Sequence, residues 1–186
     1  MNLKYGHIWP KSNVLGPGRR YIIWTQGCFR RCFRCASPEL QPIEQGFTID
    51  IETLAQRIIN SSDIDGITIS GGEPFLQAKE LGNLLSRVLR VRPELNVILF
   101  TGYKFEDLSK EYDKFVLNFV DVLIDGEYID GLNDNKGLRG SSNQVIHFLS
   151  SRLLPYKELL EEGKRKRELH VINETQLLTI GIADKI

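Results

Sequence analysis

The hydrophobic positions of this chain follow two alternating patterns. Short apolar runs, each of a length typical of a buried strand, occupy residues 21–25, 66–70, 96–101, 120–125 and 145–148. Longer segments with apolar residues at helical spacing separate the first four runs. Their apolar faces comprise Ile51, Leu54, Ala55, Ile58 and Ile59, then Leu81, Leu84, Leu85, Val88 and Leu89, then Leu108, Tyr112, Phe115, Val116 and Phe119. Strands that alternate with helices predict parallel βα units.

The two ends of the chain are predicted to frame these units. The first twenty residues are interpreted as a lead-in that closes with a turn at residues 16–18. A short helix is expected with Pro155 in its first turn. Residues 169–172 and 177–182, separated by residues 173–176, predict a closing hairpin. We therefore expect one α/β domain spanning residues 1–186, an open partial barrel of about five to six parallel strands with a carboxy-terminal hairpin, since the units are too few for a closed eight-stranded barrel.

All three cysteines of the chain, Cys28, Cys32 and Cys35, lie in one short segment directly after the first predicted strand. Structural zinc and electron-transfer iron–sulfur clusters usually take four protein ligands. Three thiolates on one loop can instead hold three corners of a 4Fe-4S cluster and leave the fourth iron open to a ligand that is not protein. We therefore predict a metal site with one reactive iron.

Three other interpretations of the cysteines are open at this stage. A disulfide framework needs an even number of cysteines and an oxidising compartment. Zinc would need a fourth ligand, and the three histidines of the chain are all distant in sequence from the cysteines. Packing as small hydrophobic residues fits poorly with the arginines that lie between and beside the cysteines.

Composition excludes several classes of partner. The chain has 24 basic and 24 acidic residues, so no net field attracts nucleic acid or a membrane surface, and we expect neither as a partner. No stretch approaches the roughly 18 apolar residues of a membrane span. The amino terminus does not resemble a signal peptide, and a cytoplasmic location is expected. The basic run at residues 164–167 has no interleaved aromatic residues and is interpreted as a solvated turn.

Two motifs together resemble the radical S-adenosylmethionine (SAM) enzymes. One is the spacing C-x3-C-x2-C after a first strand, and the other is Gly71-Gly72-Glu73-Pro74 after a second strand. Within that superfamily the chain is similar to the activating proteins of anaerobic ribonucleotide reductase and their relatives, over about residues 16–182. The closer similarity is carried by Gly16-Pro17-Gly18-Arg19, Gly27-Cys28, Ser37-Pro38-Glu39, Thr101-Gly102-Tyr103, Asp125-Gly126 and the run 138–144.

The resemblance implies two cofactors, a 4Fe-4S cluster and SAM. In such enzymes the amino and carboxylate groups of SAM bind the open iron, and one electron from the reduced cluster splits SAM into methionine and a 5′-deoxyadenosyl radical. The roles that follow for this chain are cluster ligation and catalysis by Cys28, Cys32 and Cys35.

The resemblance also implies a set of cofactor-binding residues. Gly71 and Gly72 are expected to allow close approach of the backbone to the methionine end of SAM, and Glu73 to accept a hydrogen bond from its ammonium group. The other expected cofactor-binding residues are Pro74, Thr101, Tyr103, Asp125, Arg139, Ser141, Asn143 and Gln144. The alternatives at these places are an ordinary glycine turn, a packed Gly-Tyr turn, an aspartate that caps a turn, and a solvated loop.

The function implied is that of a glycyl-radical activase, which removes one hydrogen from a glycine Cα of a partner such as anaerobic ribonucleotide reductase. An electron donor such as flavodoxin or ferredoxin is expected as a second partner. Two alternatives are kept: a radical SAM enzyme acting on another peptide or small molecule, and a non-catalytic iron–sulfur module for electron transfer or sensing. Arg30, Arg31 and Arg34 are expected either to raise the cluster potential or to form a basic docking face.

Overall fold

The computed structural model describes residues 1–174 and 176–184. Its strands are β1 (Asn2–Ser12), β2 (Arg20–Thr25), β3 (Phe47–Asp50), β4 (Gly66–Gly71), β5 (Asn96–Phe100), β6 (Val122–Asp125), β7 (Val145–Phe148), β8 (Glu168–Asn173) and β9 (Gln176–Ile180). Its α-helices are α1 (Ile51–Ile59), α2 (Ala78–Val91), α3 (Glu111–Leu117) and α4 (Lys157–Glu162). Seven strands form one sheet in the order β3-β1-β2-β4-β5-β6-β7, and β8 pairs with β9 in a separate hairpin.

Four neighbouring parallel strands form the centre of the large sheet. In their register Thr25 at the end of β2 lies opposite Gly71 at the end of β4, and Phe100 at the end of β5 lies opposite Ile124 of β6. The loops that follow these strands therefore leave from one edge of the sheet. That edge is where parallel α/β sheets place their binding sites.

The prediction of five to six parallel strands is wrong, because only β2, β4, β5 and β6 run parallel among the described residues. The run at residues 145–148 is a strand, but β7 pairs antiparallel with β6. A parallel pairing needs a crossover connection, usually a helix. Residues 126–144 supply only a single short 3₁₀ turn at Asp130–Leu132, so the chain returns along β6 in the opposite direction.

The lead-in interpretation of the first twenty residues is also wrong. Residues 2–12 form β1, which pairs antiparallel with β2 on one side and with β3 on the other. Register shifts interrupt its pairing with β2 between Tyr5 and His7 and between Trp9 and Ser12. The interruptions break the alternation of apolar and polar positions, so the sequence pattern does not reveal this strand.

The helices follow the predicted periodicity. Asp50 caps α1, since its side chain accepts a hydrogen bond from Thr53 N at 3.1 Å. The third helix is shorter than predicted, because Leu108 and Phe119 lie outside α3. In the described part of the chain no helix has the length and apolar character needed to cross a membrane. The carboxy-terminal hairpin is confirmed, although Thr175 in the predicted turn lies outside the described residues.

The two faces of the large sheet have different coverings. One face packs against α1, α2 and α3 through buried side chains such as Leu54 and Leu85. The other face carries Trp24 and packs against residues that follow β7, including Leu160 and Ile180. The segment after β7 therefore covers the sheet beside the edge where the strand-end loops meet.

A buried arginine fastens the opposite edge of the sheet. Arg20 has no exposed surface, and its guanidinium donates to Thr68 Oγ1 at 3.0 Å, Ile67 O at 2.6 Å, Pro17 O at 3.3 Å and Asn96. Burial lowers the pKa of Arg20 to about 9, which leaves it charged at neutral pH. This side chain ties the turn at residues 16–18 to β4 and β5.

Replacing Arg20 with Met should lower the free energy of unfolding by roughly 3 kcal/mol or more, because three buried acceptors and two partly buried ones would lose their donor. Chemical denaturation of the variant and the wild type measures the difference. Arg19→Met is the matched control, since Arg19 is exposed and its hydrogen bonds to Asp65 are made by backbone atoms. Equal stability of the Arg20 and Arg19 variants would contradict the assigned role.

Candidate active site

The cysteine loop leaves β2 and is closed at its base by backbone hydrogen bonds. Gly27 N donates to Leu40 O at 2.8 Å, and Cys28 N donates to Gln41 O at 2.9 Å. The side-chain amide of Gln26 donates to two further carbonyls in the returning half of the loop. The segment is therefore a closed loop with a fixed base, and Cys28 sits at that base.

The three cysteines lie around one cavity of about 180 Å³ at the carboxyl edge of the parallel strands. All three are free thiols, which removes the disulfide interpretation. Nine of the residues proposed from the sequence line this cavity: Cys28, Cys32, Cys35, Gly71, Gly72, Glu73, Pro74, Thr101 and Gln144. The fold thus brings four loops that are distant in sequence to one place.

Gly71 and Gly72 are required by contacts within the protein. Gly71 has a φ of 118°, and a Cβ there would lie 2.3 Å from Thr25 N. A Cβ on Gly72 would lie 2.2 Å from Gly27 O. The loop after β4 is therefore seated directly on the base of the cysteine loop, and only glycine allows the two backbones to approach so closely.

Glu73 joins the loop after β4 to the loop after β5. Its carboxylate is 2% exposed and accepts hydrogen bonds from Thr101 Oγ1 at 2.7 Å, Phe75 N at 3.1 Å and Gly102 N at 2.8 Å. Burial raises the pKa of Glu73, while these donors act in the opposite direction. A carboxylate has about four acceptor positions, so one position is left for a ligand. The Thr101 hydroxyl is already used as a donor to Glu73 and as an acceptor from Tyr103 N.

Tyr103 and Asp125 do not line the cavity. The Tyr103 ring lies under the guanidinium of Arg30, 4.9 Å from the ring centroid. Asp125 Oδ2 accepts from Phe105 N at 2.6 Å and lies 3.1 Å from His147 Nε2. Asp125 thus links the turn that follows β5 to β7.

Three residues of the loop before β7, Arg139, Ser141 and Asn143, also do not line the cavity. The loop's arginine, Arg139, pairs with Asp134 at 2.9 Å, and Ser141 is fully buried with its hydroxyl accepting from a backbone amide. Asn143 donates to Glu127 O at 2.8 Å. Gln144 is the member of this group on the cavity wall, and its side chain bridges the amides of residues 140 and 141 to the carbonyl of residue 126.

The sequence predicts an effect of Arg30 on the cluster potential or on docking, but not a place for it among the cofactor-binding residues. Arg30 lines the cavity, its Nη1 lies 3.7 Å from Glu127 Oε2, and its buried Nε has no hydrogen-bond partner in the part of the chain that the structure describes. A buried donor without an acceptor is costly. Its position among the cysteines is the one signal in the sequence that could have identified it.

Further cavity residues come from the sheet and from the end of the chain. Trp24, Ser70 and Phe100 belong to the ends of β2, β4 and β5. Gly181, Ile182 and Ala183 follow β9 and form another part of the wall. None of these residues carries a motif that sequence reasoning could have connected with the cysteines.

The surroundings of Cys28 and Cys32 favour the protonated thiol over the thiolate. Burial, together with the Glu127 carboxylate, whose Oε1 is 3.6 Å from Cys32 Sγ, raises the pKa of Cys32 to about 11. Burial also raises the pKa of Cys28. Metal binding at this site must therefore release protons.

The residues around the cavity fit a cluster better than a single ion. Within residues 1–174 and 176–184, no three His, Cys, Asp or Glu side chains converge closely enough to hold one metal ion. Zinc needs its ligands at about 2.0–2.3 Å from one point. A 4Fe-4S cluster instead takes each thiolate at a different iron, and the three free thiols around one cavity match that requirement. The unpartnered Arg30 Nε offers a donor to an anionic group bound beside them.

Comparison with known proteins identifies related sequences. A family model described as a 4Fe-4S single cluster domain matches residues 14–147. The anaerobic ribonucleoside-triphosphate reductase-activating protein of Enterobacteria phage T4 is 37% identical over 149 residues, which cover 77% of this chain and 93% of that protein. The protein of the same name from Salmonella typhi is 32% identical over 155 residues, covering 79% of this chain and 99% of that protein.

A second kind of activating enzyme is also similar. The pyruvate formate-lyase-activating enzyme of Staphylococcus aureus (strain USA300) is 35% identical over 154 residues. The matched region covers 75% of this chain and 57% of that enzyme.

Proposed function

This chain belongs to the 4Fe-4S single cluster domain family and to the radical SAM activase group, and on that premise we propose that it generates a glycyl radical on a partner enzyme such as anaerobic ribonucleotide reductase. One observation carries the proposal: three free cysteines, the loop at residues 71–74 and Arg30, whose buried Nε has no hydrogen-bond partner among the described residues, surround one cavity. A passive cluster carrier has no need for the loop or for the buried donor.

When bound, a reduced cluster and SAM would supply the removal of a hydrogen atom from a glycine Cα of the partner, with one electron from an external donor and with methionine and 5′-deoxyadenosine as the other products. Cys28, Cys32 and Cys35 would hold three irons. The free acceptor position on Glu73 would receive the ammonium group of SAM, and Arg30 Nε would donate to its carboxylate. The apolar wall that includes Trp24 and Phe100 would limit the access of water.

Several finer features belong to the same proposal. We propose that the sheet with its four central parallel strands is the open partial barrel of this superfamily, and that residues 1–186 act as one domain. We also propose a cytoplasmic location and an electron donor such as flavodoxin or ferredoxin. A further proposal assigns Tyr103, Asp125, Arg139, Ser141 and Asn143 to the support of the cavity wall rather than to direct contact with SAM.

Anaerobic reconstitution followed by addition of dithionite and SAM tests the enzymatic assignment. The protein should take up about four irons per chain and then release 5′-deoxyadenosine. Tight stoichiometric zinc binding with no uptake of iron would contradict the cluster. Uptake of iron without any 5′-deoxyadenosine would instead favour the electron-transfer or sensing module.

The outer surface of the cysteine loop is suited to contact with another protein. Phe29 and Phe33 are 71% and 76% exposed, and Arg34 projects beside them with its side chain 62% exposed. Exposed aromatic and arginine side chains are enriched in protein interfaces. We propose that this surface, the cysteine-loop face, borders the bound partner.

Arg34→Glu should therefore reduce radical transfer to the partner about tenfold, with a smaller effect on SAM cleavage measured without the partner. The exposed ion pair of Arg34 with Asp130 contributes at most about 1 kcal/mol, so its loss should leave the fold intact. Arg19→Glu, an equal change of charge on an exposed arginine outside the cavity, is the control. An equal reduction of transfer and cleavage by Arg34→Glu would refute this placement of the partner.

A further inference from the structure

The chain after β9 returns to the active cavity. Residues 181–184, here named the carboxy-terminal strap, contribute Gly181, Ile182 and Ala183 to the cavity wall. Ile182 also lines a second cavity of about 170 Å³ on the same side of the sheet. The strap therefore separates two cavities, and its position sets the shape of the site.

One buried side chain fixes the strap to the loop before β7. Arg165 is 3% exposed, and its Nη1 donates to Ala183 O at 2.8 Å and to Asn133 Oδ1 at 2.8 Å. Its Nη2 donates to Arg139 O at 2.7 Å. Asn133 Nδ2 donates to the same Ala183 carbonyl at 3.1 Å, which closes a triangle of contacts.

The carbonyl of residue 139 belongs to the peptide that leads into Gly140, and Gly140 lines the active cavity. Arg165 thus contacts, from outside the cavity, two chain segments that both form its wall. The guanidinium joins these two segments, and the Asn133 side chain adds a second hydrogen bond between them.

We propose that Arg165 is a positioning residue of the active cavity, which holds the strap and the loop through Gly140 together as one wall of the site that binds SAM. The inference rests on the proposed function only for the identity of the ligand. The earlier interpretation of residues 164–167 as a solvated turn is wrong for Arg165, because this side chain is buried in a network of carbonyl groups. Its exposed neighbours Lys164 and Lys166 fit that interpretation.

An arginine is required at this position for a geometric reason. The guanidinium presents five donors in a rigid fork, and here they reach three acceptors, two on the loop before β7 and one on the strap. A lysine carries its three donors on one atom and cannot span the same acceptors. Asp184, 3.9 Å from Nη1, supplies nearby negative charge at the end of the strap.

The first experiment measures the opening of the strap in the absence of any cofactor. Carboxypeptidase digestion of the metal-free full chain, followed by intact mass, reports how often the strap leaves the wall, because cleavage tracks the population of the open form. Arg165→Met should speed removal of residues 182–184 at least tenfold, a factor that corresponds to about 1.4 kcal/mol. Arg165→Lys should not restore the slow rate, and Lys164→Met should digest like the wild type.

The second experiment measures SAM binding to the reconstituted protein by equilibrium dialysis. Arg165→Met should take up as much iron as the wild type and bind SAM at least tenfold more weakly. Ile182→Ala alters the strap surface without touching Arg165, so it should also weaken SAM binding and keeps the proposal testable if Arg165→Met does not fold.

The outcomes distinguish the positioning role of Arg165 from the proposed function of the protein. Unchanged digestion of Arg165→Met would show that Arg165 does not hold the strap against the loop through Gly140. Faster digestion with unchanged SAM affinity would show that Arg165 has only a structural role. Failure of the wild type to take up iron or bind SAM would contradict the proposed function, whereas the digestion rates would still test whether Arg165 holds the strap in place.

Discussion

Cys32→Ala should leave a folded protein that cannot retain its cluster, with iron falling from about four per chain to near zero after desalting. Two thiolates cannot hold three corners of a cluster. Release of 5′-deoxyadenosine should fall at least ~10³-fold, since enzymatic rate enhancements commonly exceed ~10⁶ and this one depends wholly on the cluster. Iron analysis and chromatography of the reaction products measure both quantities.

The matched control for this variant is Phe33→Ala. Phe33 is the residue that follows Cys32 in the same loop, and its side chain is 76% exposed. This control should bind iron and cleave SAM as the wild type does. Retention of the cluster by Cys32→Ala would show that a different set of ligands holds the iron.

Gly72→Val should lower both iron uptake and SAM affinity, because it separates two loops of the site. The added Cβ would lie 2.2 Å from Gly27 O and 2.7 Å from Leu40 O, and both of these are backbone atoms at the base of the cysteine loop. The loops must separate to admit the side chain, which breaks the hydrogen bond from Glu73 N to Gly27 O. SAM affinity should fall at least ~100-fold, and iron uptake should fall as well.

The iron content of Gly72→Val shows whether Gly72 is needed for contact between the two loops or only to make room for SAM. In that second case the cluster would form normally and only SAM binding would suffer. Gly131→Val is the control, because a Cβ at Gly131 meets nothing within 4 Å. Normal iron content and normal SAM affinity in Gly72→Val would show that the close contact between the two loops is not needed.

The central strands could be predicted from sequence because burial on both faces gives them nearly continuous apolar runs. The direction of β7 could not, since a short apolar run reads the same whether its partner is parallel or antiparallel. β1 was missed because its register shifts interrupt the alternation that identifies a strand. In each case the missing information lies in pairing between distant segments.

The candidate site, like the fold, could be predicted from the sequence only in part. The cysteine spacing is local, so the cavity could be anticipated from residues 28–35. The reason for Gly72 is a contact with Gly27, and the carboxylate of Glu73 is occupied mainly by Thr101 and its neighbours. Arg165 lies in a basic run whose sequence suggests a solvated turn, whereas in the structure its side chain donates to the strap. These roles depend on tertiary contacts that no sequence spacing encodes.

The most direct test of the activase assignment is electron paramagnetic resonance of the reduced, reconstituted protein mixed with SAM and the anaerobic ribonucleotide reductase from its own source. We predict a protein-based glycyl doublet that forms only when all components are present and that is absent with Cys32→Ala. Continued release of 5′-deoxyadenosine in the presence of a small molecule or another peptide, with no doublet on the reductase, would contradict the assignment and identify a radical SAM enzyme with a different substrate.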